Sequence, residues 1–150
     1  MELENHCLIP ANREATWDLI MDLPRAAQAV PGLQNLTPEG ADRYVGTIQV
    51  RVGPIRLNLA GSVQMLQQDR AKGEATLLVE ASDRRVGGAV RTNLRILLIP
   101  QSEHQTELAI YSDTTFMGKL GELGQPIIRR KASATIEEFA SNLTRLINTG

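Results

Sequence analysis

From Tyr44 to Phe116, apolar and polar residues alternate with period two, the pattern of strands that bury one face. The clearest run sets Ile55, Leu57, Leu59, Gly61, Val63 and Met65 against Arg56, Asn58, Ala60, Ser62 and Gln64. Before it, Tyr44 to Val52 reads as a strand with Ile48, Val50 and Val52 on one face, and Gln34 to Pro38 as a weaker one. Gly53-Pro54 marks a turn, and Asp69 to Gly73 a second, polar one. Ala75, Leu77, Val79 and Ala81 give the inner face of the next strand. Gly87-Gly88 reads as a turn or bulge ahead of Val90, Thr92, Leu94, Ile96 and Leu98. After the loop at Gln101 to Gln105, the last strand carries Leu108, Ile110, Ser112, Thr114 and Phe116 on one side.

The ends of the chain differ from this meander. Leu3 to Ile9 predicts a first strand, with Leu3, Cys7 and Ile9 opposite Glu2, Glu4 and His6. Asn12 is a helix N-cap, its side-chain oxygen placed to accept from a first-turn amide. The helix behind it carries Ala15, Leu19 and Trp17 or Ile20 at helical spacing and ends near Asp22. Pro24 opens a second short helix, which Pro31-Gly32 stops. After Gly118 the spacing becomes helical again, with a stripe of Ala132, Ile136, Phe139, Leu143, Leu146 and Ile147. At about 100° per residue, Leu120, Leu123 and Ile127 fall on nearly the opposite side. Pro126 stands between the two patterns. Either it kinks one long helix, or it opens the helix and the preceding turns are a packed loop. Gly118, Gly121 and Gly124 weaken these turns as helix, so Met117 to Ile127 is expected to be a mobile lid.

A strand-rich chain closed by one long helix predicts an α+β fold, a sheet wrapped around the terminal helix. That arrangement leaves room for a cavity. Its expected lining is Leu57, Leu59, Leu77, Val79, Leu94, Ile96 and Ile110 from the strands, with Leu123 and Ile127 across from them. Ser112 and Thr114 share the inward phase, so their hydroxyls require partners in the protein, in water or in a ligand.

Composition narrows the function. The chain has 150 residues, which predicts one domain over 1–150, and 42% of them are apolar. A formal net charge of -1 gives no electrostatic footprint for nucleic acid. Five aromatic residues leave few platforms for stacking bases. The basic run Arg129-Arg130-Lys131 reads as a solvated helix face, or as a contact for an anion or lipid headgroup. A single cysteine, Cys7, excludes an intrachain disulfide. Neither a signal peptide nor a transmembrane stretch is visible, so a cytoplasmic protein is expected.

No catalytic constellation stands out. His6 and His104 are the two histidines, and neither has a partner at metal-ligand spacing. His6 and Cys7 point to opposite faces of their strand, so Cys7 reads as structural. Glu80 and Asp113 lie in strands on the outward phase. No phosphate-cradling glycine loop is present. No catalytic residue, metal site or cofactor is expected.

The order strand, helix, helix, meander, long helix resembles the helix-grip plan of the START-like superfamily, which includes polyketide cyclases and lipid-transport domains. Within it the sequence resembles the G-subunit family of carbon monoxide dehydrogenase, over nearly the whole chain. The likeness lies in I-P-A-N-R-E-A-T-W-D-L-I-M-D-L at 9–23, A-A-Q-A-V-P-G-L-Q-N-L at 26–36, D-R-Y-V-G-T-I-Q-V-R-V-G-P-I-R-L-N-L-A-G-S-V at 42–63 and M-G-K-L-G-E-L-G-Q-P-I-I at 117–128. The resemblance implies a seven-stranded antiparallel sheet gripping the C-terminal helix around an apolar cavity. It implies a non-catalytic accessory of molybdenum-containing oxidoreductases such as carbon monoxide dehydrogenase. Such a protein would bind a quinone- or lipid-like molecule, meet a redox-enzyme partner and touch the inner face of the cell membrane transiently. A cyclase- or hydrolase-like enzyme of the same superfamily, or an interaction protein with a filled cavity, are the alternatives. The sequence departs from the family pattern at Pro126 and ends at Gly150 without the anchoring extension many members carry, so stable membrane anchorage is not expected.

Overall fold

The computed structural model describes residues 1–149. Seven strands form one antiparallel, curved sheet in the order β1-β7-β6-β5-β4-β3-β2. They are β1 (Glu2–Ile9), β2 (Leu33–Pro38), β3 (Arg43–Val52), β4 (Ile55–Asp69), β5 (Glu74–Asp83), β6 (Gly88–Ser102) and β7 (Gln105–Gly118). β2 to β7 are a meander joined by short turns, and β1 closes the sheet by pairing with β7. Between β1 and β2 lie α1 (Arg13–Met21), α2 (Leu23–Ala26) and a 3-10 turn at Ala27–Ala29. A second 3-10 turn, Lys119–Glu122, leads to α3 (Gln125–Thr149). This is the helix-grip architecture that the alternation and the family resemblance predict.

Local sequence sets the element ends. The Asn12 side chain accepts from the Ala15 amide at 2.8 Å, which caps α1. Pro24 lies in the first turn of α2, where its missing donor costs nothing. Of the two readings of Pro126, the structure adopts the second. α3 begins at Gln125, and the Ile128 amide makes a first-turn bond to Gly124 O at 3.2 Å. Pro126 therefore starts the helix and does not kink it. The expected helical spacing after Gly118 is broken instead by Leu123, which is extended at φ -72°, ψ 139°.

The main core lies between the sheet, α1 and the second half of α3. Trp17, Leu19 and Ile20 of α1 meet Met65, Leu77, Ile96, Leu98 and Leu108 from the strands, and Leu143 from α3. Full burial of each such side chain stabilises the fold by roughly 1.5–3 kcal/mol. Phe139, Leu146 and Ile147 pack at its margin, while Asn142 Nδ2 donates to Ala29 O at 2.9 Å and ties α3 to the 3-10 turn. A smaller apolar cluster sits apart, built on Leu57, Leu59 and Leu120. The functional question concerns this second cluster.

Candidate functional site

At the end of the molecule away from Trp17, the sheet and the first turns of α3 bound an apolar cavity of about 200 Å³. β3 and β4 supply Val50, Val52, Leu57 and Leu59, and Val50 stands directly opposite Leu57 in the antiparallel register. β6 and β7 supply Val90 and Phe116, also a register pair. Leu120 and Leu123 close one side. α3 contributes Ile128, Lys131, Ala132 and Thr135. Period-two strands thus present only side chains of their inward phase to the space, and the wall is almost wholly hydrocarbon.

Two glycines shape this wall. Gly118 turns the chain out of β7 at φ +62°, where a Cβ would lie 1.9 Å from Gly87 O. Gly88 leaves room for Leu120: a Cβ there would come within 2.9 Å of Leu120 Cγ. Leu120 is consequently only 3% exposed, an anchor within the segment expected to be a lid. Met117, by contrast, is 45% exposed. A neighbouring space of about 290 Å³ shares Phe116, Leu120, Leu123 and Ile128 with the cavity as a common wall. A third recess, about 600 Å³, is lined by Glu2, Glu4, Arg95, Asp113 and other mostly polar residues, and has none of this apolar character.

The expected lining residues separate into groups. Leu57, Leu59 and Leu123 meet at the cavity. Ile127 lies over Gly53 in the β3–β4 turn. Leu77 and Ile96 are buried in the Trp17 core, with Leu94 and Ile110 packed against it. Val79 is half-buried on β5, opposite Val63 and Thr92. Ser112 borders the polar recess. Thr114 is buried, and its hydroxyl donates to Thr92 Oγ1 at 2.7 Å. Leu3, Val90, Phe116 and, on α3, the pair Ile128 and Lys131 are among the lining residues that had not been expected there. The signal for the helical pair is the spacing Ile128, Lys131, Ala132, Thr135, a helix face at i, i+3, i+4, i+7.

One buried carboxylate lies just past the alternation that ends at Ala81. Asp83 continues that inward phase and is 4% exposed. It accepts from the amides of Asn58 (2.8 Å), Arg85 (3.0 Å) and Val86 (3.3 Å), and the Arg85 guanidinium lies 3.7 Å away. The Asn58 amide, with the Val86 and Arg85 groups, holds its carboxyl below the usual carboxylate range against the opposing effect of burial. So satisfied, it braces β4 against the β5–β6 turn and is held ionised as a structural group. Glu80 and Asp113 are exposed on the outer face.

The remaining chemistry is scattered. Burial, and then the Glu107 carboxylate, push the Cys7 thiol up to about 11, so it is a thiol at neutral pH. His6 lies 3.6 Å from both Glu4 and Glu107 on the outer face, and edge-on to Tyr111. Among the described residues no group of His, Cys, Asp and Glu side chains is placed to hold a metal, and no helix is long and apolar enough to cross a membrane.

Charge is distributed unevenly. The β3–β4 turn, the β5–β6 turn, the second 3-10 turn and the start of α3 meet at the cavity end: the Lys119 amide donates to Gly87 O, and Arg85 to Arg56 O. These segments expose Arg51, Arg56, Arg84 and Arg85, together with Lys119, Arg129 and Arg130. Their acids are Glu122 and the already paired Asp83. Acids gather by contrast on α1, where Glu14 and Asp18 both bind Arg70.

The sequence profile of CoxG, the G-subunit family of carbon monoxide dehydrogenase, matches residues 6–148. No curated protein matches the sequence. Among solved structures, a conserved protein from Geobacillus kaustophilus superposes with a TM-score of 0.90 at 19% identity, covering 99% of this chain and 96% of that one. A START superfamily protein from Mycobacterium smegmatis gives 0.71 at 11% identity, with 99% and 97% covered. The Zhui aromatase/cyclase from Streptomyces sp. R1128 gives 0.61 at 15% identity, with 98% and 90% covered. At these identities the structural likeness is one of fold.

Proposed function

The chain belongs to the CoxG family, the G-subunit family of carbon monoxide dehydrogenase, and on that premise we propose that it is a non-catalytic binding protein. It takes an apolar small molecule, quinone- or lipid-like, between the sheet and α3, as accessory to a molybdenum-containing oxidoreductase such as carbon monoxide dehydrogenase. The observation that carries this reading is the cavity wall. Alkyl and phenyl groups from five strands, Leu3 of β1 included, the second 3-10 turn and α3 converge there, and no carboxylate, imidazole or thiol lines the space. Such a wall favours an apolar guest and offers no acid–base pair. The structural likeness to an aromatase/cyclase supports an enzymatic alternative only at the level of fold.

At about 200 Å³ the cavity is smaller than the roughly 300–1,000 Å³ of drug-sized sites. It accepts one ring or a short alkyl chain as it stands. A longer tail requires Leu123 to move, because Leu123 belongs to the wall shared with the neighbouring space. The exposed arginines and Lys119 beside the cavity support a transient contact of a cytoplasmic protein with the anionic inner face of the cell membrane, each near-surface cation adding about 1 kcal/mol.

Calorimetric titration with a short-chain benzoquinone, alongside native mass spectrometry of the freshly purified protein, tests the reading. Saturable one-to-one binding or a co-purified apolar molecule is expected. Neither appearing would refute it, and would favour an interaction protein with a filled cavity.

A further inference from the structure

The buried and half-buried stripe of α3 runs Ile128, Lys131, Ala132, Thr135, Phe139, Asn142, Leu143, Leu146. Its second half belongs to the core, where Phe139, Leu143 and Leu146 pack with the Trp17 cluster. Its first half faces the apolar cavity, and there the stripe carries a lysine. Lys131 is half-buried, whereas Arg129 and Arg130 beside it are exposed. No ion pair among the described residues includes Lys131. The positions three and four residues away on α3 are Ile127, Ile128, Ala134 and Thr135, none of them acidic. The facing strand residues Leu3, Val50, Val52, Leu57 and Leu59 supply no counter-charge either, and Glu2 and Glu4, which flank Leu3 on β1, are exposed on the opposite phase and form no ion pair with Lys131.

A lysine stem lies comfortably along a hydrocarbon wall while its ammonium reaches the rim. A solvated surface lysine has no need of such a wall, and an empty apolar cavity gains nothing from a cation at its edge. A guest with an anionic head and an apolar tail uses both.

We propose that the cavity is a site for a single-chain amphiphile with a carboxylate head. The tail lies against Leu57, Leu59, Val90 and Phe116, and the head is held by the Lys131 ammonium. This rests on the binding function proposed above and adds to its neutral guests an anionic class, the short-chain acids, which the site prefers among single-chain molecules. It also separates Lys131 from the rest of the basic run: Arg129 and Arg130 belong to the surface, and Lys131 to the site.

Three probes, each with an eight-carbon chain, test it by NMR shift titration: octanoate, whose eighth carbon is the carboxyl, octan-1-ol and octyltrimethylammonium. Octanoate is expected to bind about tenfold more tightly than octan-1-ol, and the cation more weakly than either. Lys131→Gln keeps the stem and removes the charge; it should lower octanoate affinity to that of octan-1-ol and change octan-1-ol by less than about twofold. Lys131→Arg should keep the preference for the acid. Equal binding of octanoate and octan-1-ol by the natural protein would overturn the head-group assignment while leaving the cavity intact. So would a Lys131→Gln variant that weakens both alike. Failure of all three probes to bind would overturn this inference; failure of the short-chain benzoquinone as well would overturn the cavity-binding function itself.

Discussion

Replacing Ala132 by leucine asks whether the space beside α3 is empty enough to fill. Ala132 lines the cavity from the helix side, between Ile128 and Thr135 on the same face. Leucine adds three carbons, and at ~0.8 kcal/mol for each one buried, the transfer gain is at most about 2.4 kcal/mol. Ordering the new side chain costs about 0.5–1 kcal/mol, and leucine is a slightly poorer helix former than alanine. The net expectation is a stabilisation of about 1–1.5 kcal/mol, which for a chain of this size raises the melting temperature by roughly 2–6 °C. The same carbons occupy the place of the guest, so affinity for octanoate or a short-chain benzoquinone should fall by at least about tenfold. Thermal unfolding and a binding titration on one preparation read both effects. A lower melting temperature would mean that the wall already closes on Ala132 and the extra carbons overpack it. Unchanged affinity would mean that the guest binds elsewhere. Either result refutes the placement of the site.

Leu120→Ala should destabilise the protein by about 2–5 kcal/mol, as for other buried leucines, and speed hydrogen exchange at Lys119 to Leu123; exchange as slow as in the natural protein would show that Leu120 does not latch the segment. Cys7, raised from 9.0 to about 11, presents thiolate scarcer by a factor of about a hundred, so iodoacetamide should label it far more slowly than free cysteine at pH 7.5, and equal rates would contradict its burial. Because the Asp83 carboxyl is held below its usual range, its contribution is complete above that range and is lost as pH falls through the lowered value. Asp83→Asn should therefore lower stability at neutral pH and flatten the loss of stability below about pH 4; identical acid limbs for both proteins would contradict this.

The strands were legible because one face of each is buried, so that Ile55 to Met65 carries its own phase. Asn12, Pro24 and Gly53-Pro54 act on neighbouring residues alone and could be placed locally. The start of α3 was ambiguous because Leu120, Leu123 and Ile127 keep helical spacing across a segment that is not one helix. There Leu120 is fixed by Gly88, a long-range contact that no local pattern encodes. The lining was harder still. Period two assigns Leu57 and Leu77 to the same face, yet one lies under the first turns of α3 and the other under Trp17. Which part of the sheet is covered depends on its curvature and on where the helix crosses it. Lys131 was visible only as part of a basic run, because its role depends on the rotational setting of α3.

The central claim is that a guest enters at Leu57, Leu59, Val90 and Leu123 and leaves the Trp17 core undisturbed. Methyl-resolved NMR with carbon-13-labelled leucine and valine, titrated with a short-chain benzoquinone and then with octanoate, tests it most directly. Saturable shifts are predicted at Leu57, Leu59, Val90 and Leu123, with Leu98, Leu108 and Leu143 unmoved. Shifts confined to the core leucines, or none that saturate, would contradict the account.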